Sequence, residues 1–242
     1  ADIITASAGT SNFRAGVNAG NSIASGGTFN VAVGDESGTA ITTGDHNVAV
    51  GYESLKTEDA HGHNTAVGSQ ALKTLNAGAD GKNTAVGAFA GKLMTEGVQN
   101  TLIGGLAGDA LTHADFNTVV GYQALSADTF GHRSTAIGYS ALNAQNFASS
   151  TNSNNTAVGY HSGLLVSTGI RNTIIGSEAG DALTDADDNV AIGALALSAD
   201  RKGNKSTAIG RGALKVQDFS GSTDSNNTAV GYSAGESVTT GQ

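Results

Sequence analysis

The pentapeptide Asn155-Thr156-Ala157-Val158-Gly159 returns, with small changes, along the whole chain. It reads Asn47-Val48-Ala49-Val50-Gly51, Asn83-Thr84-Ala85-Val86-Gly87, Asn172-Thr173-Ile174-Ile175-Gly176 and Ser206-Thr207-Ala208-Ile209-Gly210 at other places. Twelve copies begin at residues 30, 47, 64, 83, 100, 117, 134, 155, 172, 189, 206 and 227, and Asn12-Phe13-Arg14-Ala15-Gly16 reads as a decayed thirteenth. Neighbouring copies lie 17, 19 or 21 residues apart, most often 17. A fixed period of this size marks a solenoid, in which each unit buries its apolar face only against its neighbours. The expected organisation is an irregular cap or decayed rung over 1–29 and a repeat array over 30–242.

Numbered from its Asn as position 1, the unit is a short strand followed by turns. Positions 2 and 4 are Thr, Val or Ile, so period-two alternation puts them on one face and position 3 on the other. Position 5 is Gly in all twelve copies, which predicts a tight turn or a close backbone approach. Position 8 is always Ala or Ser, as in Ser54, Ala71, Ala124 and Ser162, and so points into a narrow interior. Two short strands and two turns fit a 17-residue rung, whereas a helical hairpin does not. The fold class read from the residues is all-β, a parallel β-solenoid of about 13 rungs with a 17-residue period.

Three further columns carry information. Position 1 is Asn ten times and Ser twice, at Ser134 and Ser206; short polar side chains suit the start of a turn, and in a stack they could form a ladder. Position 6 holds all five tyrosines, Tyr52, Tyr122, Tyr139, Tyr160 and Tyr232. That aromatic column reads as packing along one edge, or alternatively as an exposed stripe for a glycan or protein surface. Position 9 alternates in pairs of Gly and pairs of Leu, so that residues 83–154 and 155–226 are two copies of a four-rung block. Each block ends in a polar excursion. Ser149, Thr151 and Asn152 in the first, and Ser222, Thr223 and Asp224 in the second, are the candidate contact loops.

The strand words Ser134-Thr135-Ala136-Ile137-Gly138, Asn189-Val190-Ala191-Ile192-Gly193 and Asn47-Val48-Ala49-Val50-Gly51 resemble the YadA-like head repeats of trimeric autotransporter adhesins. The resemblance covers residues 30 to 231, and similar words occur in phage tail-fibre-like proteins and other bacterial surface proteins. It implies a left-handed β-roll in which three chains associate, with the branched residues toward the trimer interior and Ala filling each roll. Carried over, the trimer interface includes Val48, Val50, Thr65, Val67, Thr84, Val86, Thr135, Ile137, Val190 and Ile192. The period here is longer than the family's usual one, and position 2 is Thr in nine copies where the family mostly has Val. The neck, coiled-coil stalk and membrane-anchoring barrel of the family have no counterpart in these residues. Independently of the resemblance, a row of Val and Ile on a roll whose interior is Ala and Ser is an exposed apolar stripe. Such stripes mark interfaces, and cyclic closure of three copies buries this one.

Composition narrows the function further. The net charge of −9 argues against nucleic acid as a partner, and no apolar run approaches the length of a membrane span. Zero Cys excludes disulfide and thiolate-metal chemistry. The chain begins at Ala1, without an initiator Met, and is read as a piece of something longer or a processed product. No nucleotide-loop, nucleophile-elbow or zinc-protease motif is present, so neither catalysis nor a cofactor is expected. His61 and His63 with Glu58 and Asp59 make the densest metal-like cluster; it reads as a solvated polar loop, and no metal is expected. Asp185, Asp187 and Asp188 could hold calcium only weakly, and their counterparts His113, Asp115 and Phe116 do not retain the cluster.

The functional expectation is therefore an extracellular, cell-surface or virion fibre segment. It is a homotrimer, with end-to-end joining into a polymer as a further option, whose outer loops attach to a host or environmental surface through glycan or protein. A self-assembling filament subunit or a phage tail-fibre shaft is a variant of that reading. A monomeric ice- or lattice-binding solenoid using the Thr-x-Val array is the alternative from another class.

Overall fold

The computed structural model describes residues 3–4 and 7–241; residues 1, 2, 5, 6 and 242 of the expected cap and array lie outside the described residues. Among the described residues every regular element is a strand of two or three residues and there is no helix. Two compact units divide the chain, residues 1–117 and 118–242, a boundary that falls inside the first four-rung block.

In the first unit β1 (Ile3–Ile4) runs antiparallel to β2 (Phe13–Ala15). From β2 onward the pairing is parallel, through β3 (Val31–Val33), β4 (Val48–Val50), β5 (Thr65–Val67), β6 (Thr84–Val86) and β7 (Thr101–Ile103). The second unit stacks β8 (Thr118–Val120), β10 (Thr135–Ile137), β12 (Thr156–Val158), β13 (Thr173–Ile175), β14 (Val190–Ile192), β16 (Thr207–Ile209) and β18 (Thr228–Val230), again all parallel. Two side ladders accompany it, β9 (Gly131–His132) with β11 (Thr151–Asn152) and β15 (Gly203–Asn204) with β17 (Thr223–Asp224). The chain is thus a parallel β-solenoid of about thirteen turns with a period near 17 residues.

Each turn has one regular strand, and only the side ladders supply a second; two strands per rung is not the general rule. The reason lies in the backbone. Position 7 (Glu36 φ 58°, Gln70 φ 58°), position 9 (Leu55 φ 47°, Leu142 φ 50°) and the residue before each Asn (His46 φ 57°, Asp188 φ 60°) are all left-handed. Residues of that conformation break an extended run and bend the chain round the corner. A left-handed Leu costs about 1 kcal/mol, which is offset by burying the side chain completely. Position 5 needs glycine outright: Gly87 has φ 139°, and a Cβ there would stand 2.4 Å from the carbonyl oxygen of Gly104.

The interior is filled column by column. Position 3 is buried, as in Ala49, Ala85, Ala157 and Ala191, and so is position 8 in Ala71, Ala107, Ala124 and Ala141. Positions 9 and 12 share one space. Where position 9 is Gly, position 12 is large and apolar: Ile41 with Gly38, Met94 with Gly91, Leu111 with Gly108, Leu183 with Gly180. A Cβ on Gly108 would meet Leu111 Cδ1 at 2.7 Å. Where position 9 is Leu, position 12 is mostly polar, namely Glu58, Asp128, Gln145, Asp200 and Gln217.

Position 1 forms a buried ladder within each unit. The side-chain oxygen of Asn155 accepts from the backbone N–H of Asn172 at 2.9 Å, and that of Asn172 from Asn189 at 3.0 Å. The Nδ2 groups of most of these Asn residues also close their own turns, Asn172 donating to the Ala186 carbonyl at 2.8 Å and Asn155 to that of Gly169 at 2.7 Å. The same pattern runs through Asn30, Asn47, Asn83 and Asn100 in the first unit. Buried backbone groups at the corner are satisfied this way without a second strand.

Candidate functional site

The outward face of the three-residue strands repeats from turn to turn in both units. Strand alternation turns position 3 inward and positions 2 and 4 outward, so Val48, Val50, Thr65, Val67 and Thr84 are half-buried and Val86 is 37% exposed. In the second unit Thr135, Val190 and Ile192 are half-buried and Ile137 is 36% exposed. From β3 onward, pairing stacks position 4 on position 4 as Val and Ile, as Val67 on Val86 and Val158 on Ile175, and mostly Thr on Thr at position 2, as Thr65 on Thr84 and Thr156 on Thr173, with Val48 and Val190 as exceptions. From residue 30 onward neither position ever carries a charge. The result is rows of methyls and rows of hydroxyls on a parallel sheet, with strands about 4.8 Å apart.

The tyrosines lie where the chain leaves that face. Tyr122 and Tyr139 stack with ring centroids 5.7 Å apart, and Tyr139 and Tyr160 at 5.5 Å, while His161 lies 3.8 Å from the Tyr160 ring. Tyr52 is exposed, and Tyr232 lies under the Arg211 guanidinium. Because the three stacked rings turn their faces to one another, the column presents edges and hydroxyls outward. The candidate loops are ordered by pairing. Thr151 and Asn152 lie against Gly131 and His132, Thr223 and Asp224 against Gly203 and Asn204, and buried Phe147 and Phe219 pin the excursions. Ser149, Asn152, Ser222 and Asp224 are exposed; Thr151 and Thr223 are half-buried.

Position 12 builds polar clusters inside the roll that strand and turn patterns alone do not reveal. Gln145 Nε2 donates to Asp128 Oδ2 at 2.6 Å and to Ser134 Oγ at 3.0 Å, and its Oε1 accepts from Asn155 Nδ2 at 2.8 Å. The next block repeats the arrangement: Gln217 donates to Asp200 at 2.6 Å and to Ser206 at 2.9 Å, and accepts from Asn227 at 2.8 Å. Ser replaces Asn at position 1 in the very turns where a Gln reaches it. Burial pushes the Asp128 carboxyl up, against the opposing hydrogen bond from Gln145. The signal for these clusters was in the sequence, as a polar residue three places after every Leu of position 9 except Leu72.

Glu58 occupies the same interior column and is fully buried, so the solvated-loop reading of Glu58, Asp59, His61 and His63 does not hold for it. Burial raises its carboxyl, while the N–H groups of Ala77 and His61 lower it. His63 is elsewhere, on the outer surface, stacked on His46 at 5.1 Å and 3.5 Å from Asp80. Asp185, Asp187 and Asp188 do not converge: Asp185 pairs with Lys202, Asp187 accepts from the Ile170 N–H, and Asp188 pairs with Arg171. No helix among the described residues is long and apolar enough to cross a membrane.

Comparison with known proteins identifies no relative: no family model, no curated protein and no solved structure matches the chain.

Proposed function

We propose that this chain is a structural and adhesive segment of an extracellular fibre, in which three copies of a left-handed β-roll associate through their outward strand faces. The observation that carries the reading is the in-register, charge-free array of Val, Ile and Thr at positions 2 and 4. Removing the remaining exposed third of a Val or Ile from water contributes about 0.5–1 kcal/mol, repeated on every strand. Two or three copies meeting along such faces gain that term many times over, which offsets the cost of association. Self-association also makes use of the register, since identical rows meet identical rows under cyclic symmetry. The interior polar clusters and the Asn ladder tie successive turns together within each unit, and the pinned excursions at 149–152 and 222–224 are the surfaces offered to a glycan or protein. A filament subunit or tail-fibre shaft uses the same repeats and differs only in what it joins.

The deciding measurement is absolute mass at low micromolar concentration, by sedimentation or light scattering. Three times the chain mass is expected, falling to the single-chain mass in Ile137→Lys/Ile192→Lys with an unchanged β spectrum. A wild-type monomer overturns the fibre reading. One observation favours a second reading in that event. The rows Thr156, Thr173 and Thr84, Thr101 repeat at the strand spacing, as a lattice- or ice-binding face requires, and thermal hysteresis from the dilute monomer supports it.

A further inference from the structure

An acidic residue sits at position 12 three times, as Glu58, Asp128 and Asp200, and all three are buried. Asp128 and Asp200 are each met by a Gln from the following turn at 2.6 Å. One turn on from Glu58 the residue is Leu75, fully buried and without a donor. Glu58 therefore relies on two long backbone bonds, from the N–H of His61 at 3.3 Å and of Ala77 at 3.2 Å. A second change goes with the first. Beside the two aspartates position 15 is Gly131 and Gly203, but beside Glu58 it is His61.

His61 does not repair the deficit. Its Nδ1 stands 3.7 Å from Glu58 Oε1, beyond hydrogen-bond reach, and that nitrogen is buried with no hydrogen-bond partner. Asp59 adds a second carboxylate, and one ligand atom from each of Glu58, Asp59 and His61 lies within 4.8 Å of the other two. A desolvated carboxylate facing an imidazole nitrogen with no partner leaves both groups short of the interaction that burial demands. A cation between them satisfies both at once.

We propose that Glu58, Asp59 and His61 form a binding site for a divalent transition metal of the zinc class, with water completing its coordination. The imidazole nitrogen selects zinc, nickel or cobalt over magnesium and calcium, which take oxygen shells. Ligand atoms around a tetrahedral zinc lie about 3.3 Å apart, so the three groups close by roughly 1 Å on binding. Asp59 and His61 are partly exposed and can make that movement, and their exposure leaves the ion a path from solvent. The buried Glu58 anchors the site to the roll.

Calorimetric titration of the full chain with Zn²⁺ at neutral pH tests this. One equivalent is expected to bind and to raise the thermal midpoint. His61→Ala should abolish binding, Asp59→Asn should weaken it by about tenfold or more, and His63→Ala, two residues on and on the outer surface, should leave it intact. Co²⁺ in place of Zn²⁺ should give a visible d–d spectrum that His61→Ala loses. Circular dichroism without metal checks that each variant folds, and Asp59→Asn, at a partly exposed side chain, carries the test if His61→Ala does not. No binding up to about 1 mM Zn²⁺ overturns the proposal, as do an isotherm unaffected by either ligand substitution and equal competition from Mg²⁺.

Discussion

Replacing Asn172 by Ala removes a side chain that serves three neighbours. Its Oδ1 accepts from the Asn189 N–H at 3.0 Å, and its Nδ2 donates to the Ala186 carbonyl at 2.8 Å and to Asn155 Oδ1 at 3.3 Å. Asn155 Oδ1 keeps its bond from the Asn172 backbone N–H at 2.9 Å, so two buried backbone groups are orphaned, the Asn189 N–H and the Ala186 carbonyl. Each unsatisfied group costs about 1–3 kcal/mol, giving a loss of about 2–6 kcal/mol. Asn172→Ser should recover little of it, although Ser is native at 134 and 206. There Gln145 and Gln217 reach the hydroxyl, whereas Leu183 holds the corresponding position after Asn172. Urea unfolding followed by far-UV circular dichroism reads the effect. At a slope of about 2–3 kcal/mol per molar the midpoint should fall by about 1 M or more. Thr173→Ala, one residue on and facing outward, is the control and should shift it hardly at all. If Asn172→Ala behaves like Thr173→Ala, the ladder does not hold the turns together and the account of the corner is wrong.

Gly176→Ala should be about as damaging, at roughly 2–4 kcal/mol, since φ is 136° and a Cβ would lie 2.6 Å from the Gly193 carbonyl carbon; Gly78→Ala, where a Cβ meets nothing within 4 Å, should be near neutral, and comparing their melting temperatures decides it. The acid limb of stability should depend on Glu53, held down to about 2 from its usual 4.5 by hydrogen bonds from Lys56 and Lys73. A depressed carboxyl stabilises the fold above its ordinary range and loses that contribution as pH falls through 4.5 toward 2, so Glu53→Gln should flatten thermal midpoints over that interval. Glu58 carries the opposite sign, because burial raises its carboxyl. Its ionisation costs stability as pH rises through the raised value, and in metal-free buffer Glu58→Gln should melt higher than wild type at neutral pH. Tyr139→Ala removes two stacked contacts and should cost about 1 kcal/mol without changing the mass of the assembly; a fall in mass would place the tyrosines in an interface between copies.

The period and the strand word were legible because both are local. Strand alternation alone assigns Ala157 inward and Thr156 and Val158 outward, and the structure has Ala157 fully buried between two half-buried neighbours. The invariant Gly of position 5 and the small residues of position 8 likewise announce crowding in any one turn. The expectation of two strands per rung failed at the corners. There three positions per turn sit in the left-handed region and only some of them are Gly, and Leu55 or His46 carries no local signal that a stacked neighbour will hold it there.

The amino-acid sequence by itself thus determined an all-β repeat array, its period, its turn count and which side chains face out, because each follows from spacing along one chain. Tertiary structure alone decided the partners between turns. That Asn155 bonds Asn172 and that Gln145 meets Asp128 depend on residues one period apart being brought into register. Side-chain hydrogen bonds are short and directional, and a spacing near 17 says that two residues stack without saying which atoms meet.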